Sequence, residues 1–166
     1  MLKPQDLVVA VRLAIPSTDH STYPNLAASL RMSASEAHAA VKRAAECGLV
    51  DGTTRRAKRS ALLEFVVHGL RYVFPPSWSG VSRGIPTSYA APPLSVSIVQ
   101  GDLPPVWPHP EGQTRGQGLR PIYKSIPDAS LRDAELYKWM ALLDAIRSGR
   151  ARERELAVGL IRKRLI

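Results

Sequence analysis

Residues 22–50 read TYPNLAASLRMSASEAHAAVKRAAECGLV, and this stretch predicts two short helices that are separated by a tight turn. Thr22 is a favourable N-cap for the first helix. Ser33 and Glu36 have the spacing of a capping box, in which each side chain bonds the backbone N–H of the other residue. Gly48 supplies the left-handed residue at which helices commonly end. We therefore expect a helix of about eight residues, followed by a second helix from about position 34 to position 47.

The second of these helices has two different faces. One face is rich in alanine and is predicted to pack closely on the rest of the protein. It consists of Ala34, Ala37, Val41, Ala44 and Ala45. The opposite face carries Ser35, Ala39, Lys42, Arg43 and Glu46. A helix of this kind lies on the surface of a domain and presents its polar side chains outward.

The segments on either side of this stretch also have recognisable patterns. Apolar residues recur at helical spacing over 4–15, which predicts a first helix there. Asp51-Gly52 is a turn signal, and the run Arg55-Arg-Ala-Lys-Arg59 places four positive charges within five residues. The apolar segment that follows predicts a buried helix from position 60 to about 69, and then a strand that begins over 71–74.

Residues 75–127 differ from the rest of the chain in composition. They contain eleven of the fourteen prolines, which excludes long regular elements. The alternating pattern over 94–98 and several aromatic residues nevertheless argue against disorder. These aromatic residues are Trp78, Tyr89, Trp107 and Tyr123. We expect short strands and ordered loops that wrap around the core.

The C-terminal residues return to helical spacing. One helix is predicted from about 133 to 147 and a second from 151 to 165, so that the two form a helical hairpin. The predicted fold class is mainly α, within the α+β class. We divide the chain into a helical N-terminal part (1–60), a core helix with a Pro/Gly-rich short-strand region (61–127) and the C-terminal hairpin (128–166), which is a candidate for dimerisation.

Composition limits the kinds of partner and compartment. There are 23 Lys and Arg against 14 Asp and Glu, which gives a net charge of +9 and favours a polyanionic partner. Cys47 is the only cysteine, so the chain has no internal disulfide and no cysteine-based zinc site. No segment approaches the roughly 18 apolar residues needed to cross a membrane. We therefore expect a cytoplasmic protein that does not enter a membrane.

The N-terminal stretch also resembles a known motif, the helix-turn-helix of bacterial winged-helix transcriptional regulators such as the MarR-like group and related repressors and antitoxins. The residues that carry the resemblance are Tyr23 to Ala27, Leu30, Ser33, Val41 and Gly48-Leu49-Val50. The resemblance covers about residues 1–60. The chain departs from it at Arg31, where such motifs commonly have glycine, and at Ala37, where they have a larger aliphatic residue. The expected strand-turn-strand wing would have to be a short one within 51–59.

This resemblance implies that the second helix of the motif lies in the major groove of double-stranded DNA. The side chains implied to read base edges are Ser35, His38, Ala39 and Lys42. Those implied to contact phosphates are Thr22, Arg31, Ser33, Arg43, Arg55, Arg56, Lys58 and Arg59. Phosphate contacts set the register on the duplex, whereas base contacts carry the sequence information.

The function expected from these observations is a sequence-specific transcriptional regulator, a repressor that acts as a homodimer on double-stranded DNA. The alternative is an antitoxin-like interaction module that neutralises a partner protein such as a toxin and autoregulates its operon. A third possibility is binding of RNA or single-stranded DNA, with Tyr72, Trp78 and Trp107 as stacking groups. No catalytic residues, metal site or cofactor are predicted, because no nucleophile elbow, phosphate-binding glycine loop or close histidine cluster is present.

Overall fold

A computed structural model of the protein describes residues 1–16 and 22–166, and over these residues the fold is mixed α/β, with eight α-helices and a small three-stranded sheet. The helices are α1 (Pro4–Ala14), α2 (Tyr23–Ser29), α3 (Ala34–Glu46), α4 (Arg59–His68), α5 (Leu70–Val73), α6 (Ile126–Arg132), α7 (Ala134–Ser148) and α8 (Ala151–Leu165). The strands are β1 (Trp78–Pro86), β2 (Pro105–Pro108) and β3 (Thr114–Leu119).

Local sequence signals set the boundaries of α2 and α3. Thr22 Oγ1 accepts a hydrogen bond from Asn25 N at 3.2 Å, which makes Thr22 the N-cap of α2. The predicted capping box of α3 is confirmed, because Ser33 Oγ accepts from Glu36 N at 3.1 Å and Glu36 Oε2 accepts from Ser33 N at 2.9 Å. Gly48 has a φ of +80° and follows the end of α3, as the sequence predicts.

The first helix lies at the centre of the molecule. Residues 7–11 of α1 are all fully buried, so this helix has no solvent-exposed stripe along its middle. The buried apolar side chains form one continuous cluster, which runs from Leu7 in α1 to Leu165 in α8. Arg12 of α1 forms an ion pair with Asp133, the N-cap residue of α7. The first and last parts of the chain therefore share a core.

The strand predicted over 71–74 is wrong, because this segment forms the short helix α5. Leu70 is fully buried and α5 packs against α7. This packing stabilises a helical backbone in the segment and not an extended one. Phe74 N donates to Leu70 O at 2.9 Å and completes the turn. The β-propensity of Tyr72 and its neighbours is therefore overridden by tertiary packing.

The predicted short strands of the middle region are present, and they close on one another. β1 pairs antiparallel with both β2 and β3, and β2 pairs with β3 in parallel over two residues. Gly84 lies where the three strands meet, because it is opposite Pro108 in β2 and Thr114 in β3. The alternating segment at 94–98 forms a 3-10 turn over Leu94–Val96 instead of a strand.

Helix α6 lies at the boundary between the middle region and the C-terminal hairpin, where no helix was predicted. Its sequence contains Pro127, which the composition assigned to the irregular region. In the structure this proline occupies the first turn of α6, where a missing N–H leaves no helical hydrogen bond unmade. The return to helix therefore comes at Ile126 instead of about position 133.

The predicted helical hairpin is confirmed as α7 and α8. Five apolar residues that recur at helical spacing in α7 are all buried: Leu136, Trp139, Met140, Leu143 and Ile146. Helix α8 packs against both α7 and α4. Its buried residues are Ala157, Ile161 and Leu165, so this face of α8 is covered within the same chain.

A buried ion pair connects α7 to the middle region. Asp144 accepts hydrogen bonds from Thr87 Oγ1 at 2.6 Å, from Trp107 Nε1 at 2.8 Å and from Arg147 Nε at 2.8 Å. The other guanidinium nitrogens of Arg147 donate to the carbonyl oxygens of Phe74, Pro75 and Arg120. Four separate segments of the chain therefore meet at two neighbouring turns of α7.

We expect the stability of the protein to fall in acid through Asp133. Burial would raise the pKa of this carboxyl group, but hydrogen bonds from Leu136 N and the Arg12 guanidinium outweigh burial and lower it. A depressed pKa adds stability that is fully present above the unfolded value of about 3.9 and is lost as the pH falls through the lower folded value.

Urea unfolding at pH 7 and at pH 3 measures this loss. The Asp133→Asn variant should be less stable at pH 7 and should lose less stability on acidification than the parent protein. An equal loss in both proteins would show that Asp133 does not contribute to the acid sensitivity.

Candidate nucleic-acid interface

The polar face of α3 lies on the surface. Ser35, His38 and Lys42 are exposed, whereas Ala39 is half-buried. The residues of α3 that are buried are Ala37, Ala40, Val41 and Ala44. Ala34, which was predicted to face inward, is exposed because it is the first residue of the helix. The four side chains predicted to read bases therefore lie along one side of α3, with Ala39 the least accessible.

A stack of three side chains connects α3 to the neighbouring segments. The rings of Tyr23 and His38 lie 4.8 Å apart at their centroids, and the Arg55 guanidinium carbon lies 4.9 Å from the Tyr23 ring centroid. An arginine over an aromatic face gains a cation–π attraction. The stack joins the first turn of α2, the exposed face of α3 and the basic segment that follows the Asp51-Gly52 turn. Tyr23 was not predicted as a site residue.

The segment after α3 forms a compact hairpin. Val50 and Ala57 make an isolated antiparallel bridge, and Asp51 N donates to Arg56 O at 2.8 Å. The Asp51 carboxylate accepts from Thr54 N at 2.7 Å and from Thr53 N at 3.0 Å. These backbone hydrogen bonds, with that of Thr54 the largest cause, lower the pKa of Asp51. Residues 50–57, which we call the 50–57 hairpin, thus have a fixed tip that projects beside α3.

A groove of about 530 Å³ separates α3 from the 50–57 hairpin. It is lined by Tyr23, His38, Val41, Lys42, Ala45, Glu46 and Gly52. The groove contains an ammonium group, a carboxylate and an imidazole, which together offer hydrogen-bond donors and acceptors to a ligand edge. Glu46 is a polar residue of this surface that was not among the predicted readers.

The turn between α2 and α3 has a left-handed residue at Arg31, with a φ of +56°. This is the position at which the resembling motifs commonly have glycine, and the conformation that favours glycine is kept although the residue is arginine. A side chain at such a φ costs about 1–2 kcal/mol. The Arg31 side chain is exposed, so the packing of the turn does not require an arginine at this position.

Replacing Arg31 with glycine should raise the free energy of unfolding by about 0.5–1 kcal/mol, because relief of the left-handed strain exceeds the entropy that glycine adds to the unfolded chain. Urea denaturation measures the change. Arg31→Ala is the matched control, since it removes the same charge and retains the Cβ. A glycine variant no more stable than the alanine variant would contradict the assignment of strain to this position.

The predicted phosphate contacts fall into two groups. Arg56 and Lys58 are exposed on the 50–57 hairpin and just after it, whereas Arg43 and Arg59 have partners within the chain. Arg43 donates from Nε and Nη2 to the buried carboxylate of Asp6, at 2.8–3.0 Å. The hydrogen bonds to Asp6 raise the pKa of Arg43.

Arg59 is likewise held by the chain itself, because it donates to Ala14 O and Arg164 O, each at 3.0 Å. These contacts attach the start of α4 to α1 and α8. We therefore leave Arg43 and Arg59 out of the proposed contacts. The two cap residues Thr22 and Ser33 are exposed at the N-termini of α2 and α3. A hydroxyl that caps a helix keeps its own proton to donate, and the Ser33 hydroxyl lies 3.1 Å from the Ser35 hydroxyl, with which it can share a hydrogen bond.

Residues from a distant part of the chain lie at the N-terminus of α3. Ser125 Oγ donates to Leu30 O in the α2–α3 turn at 2.7 Å, and Tyr123 OH lies 3.5 Å from Glu36 Oε1. Lys124 is exposed between them and contributes to lowering the pKa of Glu36, although the hydrogen bond from Ser33 N is the largest cause. Lys124 is thus a cation beside α3 that local sequence patterns did not reveal.

No protein family, curated protein or solved structure matches this chain. Over residues 1–16 and 22–166, no helix is both long enough and apolar enough to span a bilayer. In the same described part of the chain, histidine, cysteine and acidic side chains form no cluster that could hold a metal ion. The surface around α3 is therefore the feature of the molecule from which a function can be inferred.

Proposed function

We propose that the protein is a sequence-specific DNA-binding protein in which α3 enters the major groove. The observation that carries this proposal is the exposed polar face of α3 beside the 50–57 hairpin, joined to it by the Arg55–Tyr23–His38 stack. The arrangement supports a winged helix-turn-helix in which the 50–57 hairpin is a short wing. A net charge of +9 supports a polyanionic partner.

The chemistry of the exposed side chains supports a division of roles. Lys42 can donate to O6 or N7 of guanine, and Glu46 can accept from N4 of cytosine. Ser35 lies one turn before His38 at the exposed end of α3, where helix N-terminal residues meet base edges in this docking mode. The cations outside α3 serve as phosphate contacts in this proposal: Arg31, Arg55, Arg56, Lys58 and Lys124.

We further propose that the protein is a cytoplasmic repressor that acts as a homodimer. This proposal follows from the geometry of operators, in which two half-sites one helical turn apart mirror a two-fold symmetric protein. In the structure one face of α8 packs on α4 and α7, so a dimer formed by the predicted C-terminal hairpin would use the exposed side of that hairpin. A palindromic target would be the signature of such a dimer.

Selection of sheared genomic DNA by the purified protein at near-physiological salt tests the proposal. We expect enrichment of one palindromic site. The Lys42→Ala variant should lose about 1–3 kcal/mol of discrimination between that site and random DNA. Lys138→Ala is the matched control, because Lys138 is on α7 and pairs there with Glu135 at 3.0 Å.

The exposed cations of the 50–57 hairpin region should behave differently from Lys42. The double variant Arg56→Ala with Lys58→Ala should weaken binding to all duplexes alike and flatten the log–log salt slope by about 1.8, at about 0.9 per phosphate contact. Equal losses on specific and random DNA for both the Lys42 variant and the double variant would contradict the assignment of base reading to α3. Absence of any enriched site would contradict sequence-specific binding.

A second candidate function is an interaction module of the antitoxin type. It is favoured by the exposure of two valines at the end of the 3-10 turn Leu94–Val96 and on the loop that follows it, because Val96 is 88% and Val99 is 94% exposed. We would co-express the protein with the products of the genes that flank its own gene. Formation of a complex that is lost on Val96→Ser with Val99→Ser would support this function, and separate migration of the two proteins would contradict it.

A further inference from the structure

A cavity of about 450 Å³ lies far along the chain from α3, between the start of β1, the 3-10 turn Ser88–Ala90 and the junction of α7 and α8. Its apolar wall includes Trp78, Tyr89 and Ile98, and its polar lining includes Ser88, Arg150 and Glu153. An apolar and aromatic cavity of this size with a few convergent polar groups is typical of small-molecule sites.

Two residues that line this cavity each have a buried polar atom without a partner. Ser88 Oγ and Glu153 Oε2 are both buried, and neither has a hydrogen-bond partner among residues 1–16 and 22–166. Ser88 as a whole is only 1% exposed. A buried polar atom without a partner costs free energy that a partner would recover, so both atoms favour a ligand that can supply hydrogen bonds.

The backbone at Ser88 is also unusual. Its φ is +55°, a left-handed conformation that serine rarely adopts. The neighbouring Thr87 is anchored by two hydrogen bonds, because Thr87 N donates to Pro105 O at 3.0 Å and Thr87 Oγ1 donates to Asp144. Residues that a surrounding structure holds in strained conformations concentrate at ligand-binding and active sites. This left-handed residue is one of those that line the cavity.

The apolar side of the cavity is open at Trp78, which is 47% exposed. Large aromatic side chains bury most of their surface in stable proteins, and an exposed one beside a cavity marks a place for a flat apolar group. Tyr89 contributes a second ring to the same wall. The cavity therefore offers aromatic contact area together with a carboxylate and a hydroxyl.

We propose that this cavity binds a small aromatic amine of one or two rings, whose ring packs on Trp78 and Tyr89 and whose ammonium or amino group donates to Glu153 and Ser88. The carboxylate of Glu153 favours a ligand with a positive charge over one with a negative charge. Its Oε2 is buried and has no partner among the described residues, whereas Arg150 is exposed to solvent. A donor to Glu153 thus gains more than an acceptor to Arg150.

Three probes of similar shape and different charge test this proposal at pH 7 by isothermal titration calorimetry: benzylamine, benzyl alcohol and benzoate. Benzylamine should bind about tenfold more tightly than benzyl alcohol, as expected for a charge-assisted hydrogen bond. Glu153→Gln should remove this preference. Glu155→Gln is the matched control, because it removes the same charge from an exposed position on the same helix and should leave the preference unchanged.

Ser88→Gly provides a second variant that separates binding from folding. It removes the hydroxyl and relieves the left-handed strain, so it should raise the thermal midpoint while it weakens benzylamine binding. A rise in the thermal midpoint together with tighter benzylamine binding would overturn the role of Ser88 as a ligand group. Tighter binding of benzoate than of benzylamine, an unchanged preference in Glu153→Gln, or no benzylamine binding up to about 10 mM would each overturn the proposal. None of these outcomes depends on whether the protein binds DNA.

Discussion

Replacing Asp144 with alanine should lower the free energy of unfolding by about 3–5 kcal/mol, the cost of removing one partner from a buried ion pair. Asp144 is 1% exposed and accepts from Thr87, Trp107 and Arg147. Its loss leaves a buried guanidinium without a counter-ion. It also leaves a buried hydroxyl and a buried indole N–H without acceptors, and each of these adds a desolvation cost.

Urea denaturation followed by far-UV circular dichroism measures this loss. Asp102→Ala is the matched control, because Asp102 is exposed in the loop before β2 and should change stability by less than about 0.5 kcal/mol. Asp144→Asn should lie between the two, since the amide retains one acceptor oxygen and loses the charge. A loss for Asp144→Ala as small as that for Asp102→Ala would show that the network does not hold the middle region to α7.

Replacing Gly84 with alanine should cost about 3 kcal/mol or more, because the new methyl group would overlap backbone. A Cβ at Gly84 would lie 2.1 Å from the carbonyl oxygen of Trp107 and 2.7 Å from its carbonyl carbon. Backbone atoms cannot move aside as the end of a flexible side chain can. Relief would require β1 and β2 to separate, and their pairing would be lost.

The same strand supplies the control for this prediction. A Cβ at Gly80 would meet no atom within 4 Å, so Gly80→Ala should be neutral or should stabilise slightly by restricting the unfolded chain. Thermal unfolding of the two variants gives the comparison. Similar midpoints for Gly80→Ala and Gly84→Ala would contradict the close approach of the strands at Gly84.

The parts of the fold that sequence predicts well are those encoded by neighbouring residues. The caps at Thr22 and Ser33, the stop at Gly48 and the two helices of the hairpin each depend on contacts within a few positions along the chain. The segment 71–74 was predicted wrongly, because its own preference is for strand and the packing of Leu70 against α7 outweighs that preference.

The candidate interface divides in the same way. Helical periodicity was sufficient to place Ser35, His38 and Lys42 on one exposed side of α3. Helical periodicity could not show that the Arg43 guanidinium is hydrogen-bonded to Asp6, thirty-seven positions away. Nor could it show that Lys124 lies beside α3, since only the folded chain brings that residue close to Glu36.

The hydrogen bond from Ser125 to Leu30 has a consequence for protein engineering. The shape of the turn between α2 and α3 is specified partly by a residue ninety-five positions later. A fragment that ended near position 60 would lose this bond and would uncover α1, whose residues 7–11 are buried on every side. The N-terminal helices therefore cannot be moved into another protein without the rest of the chain. Substitutions at residues 121–126 offer a way to change the shape of the α2–α3 turn without changing α3 itself.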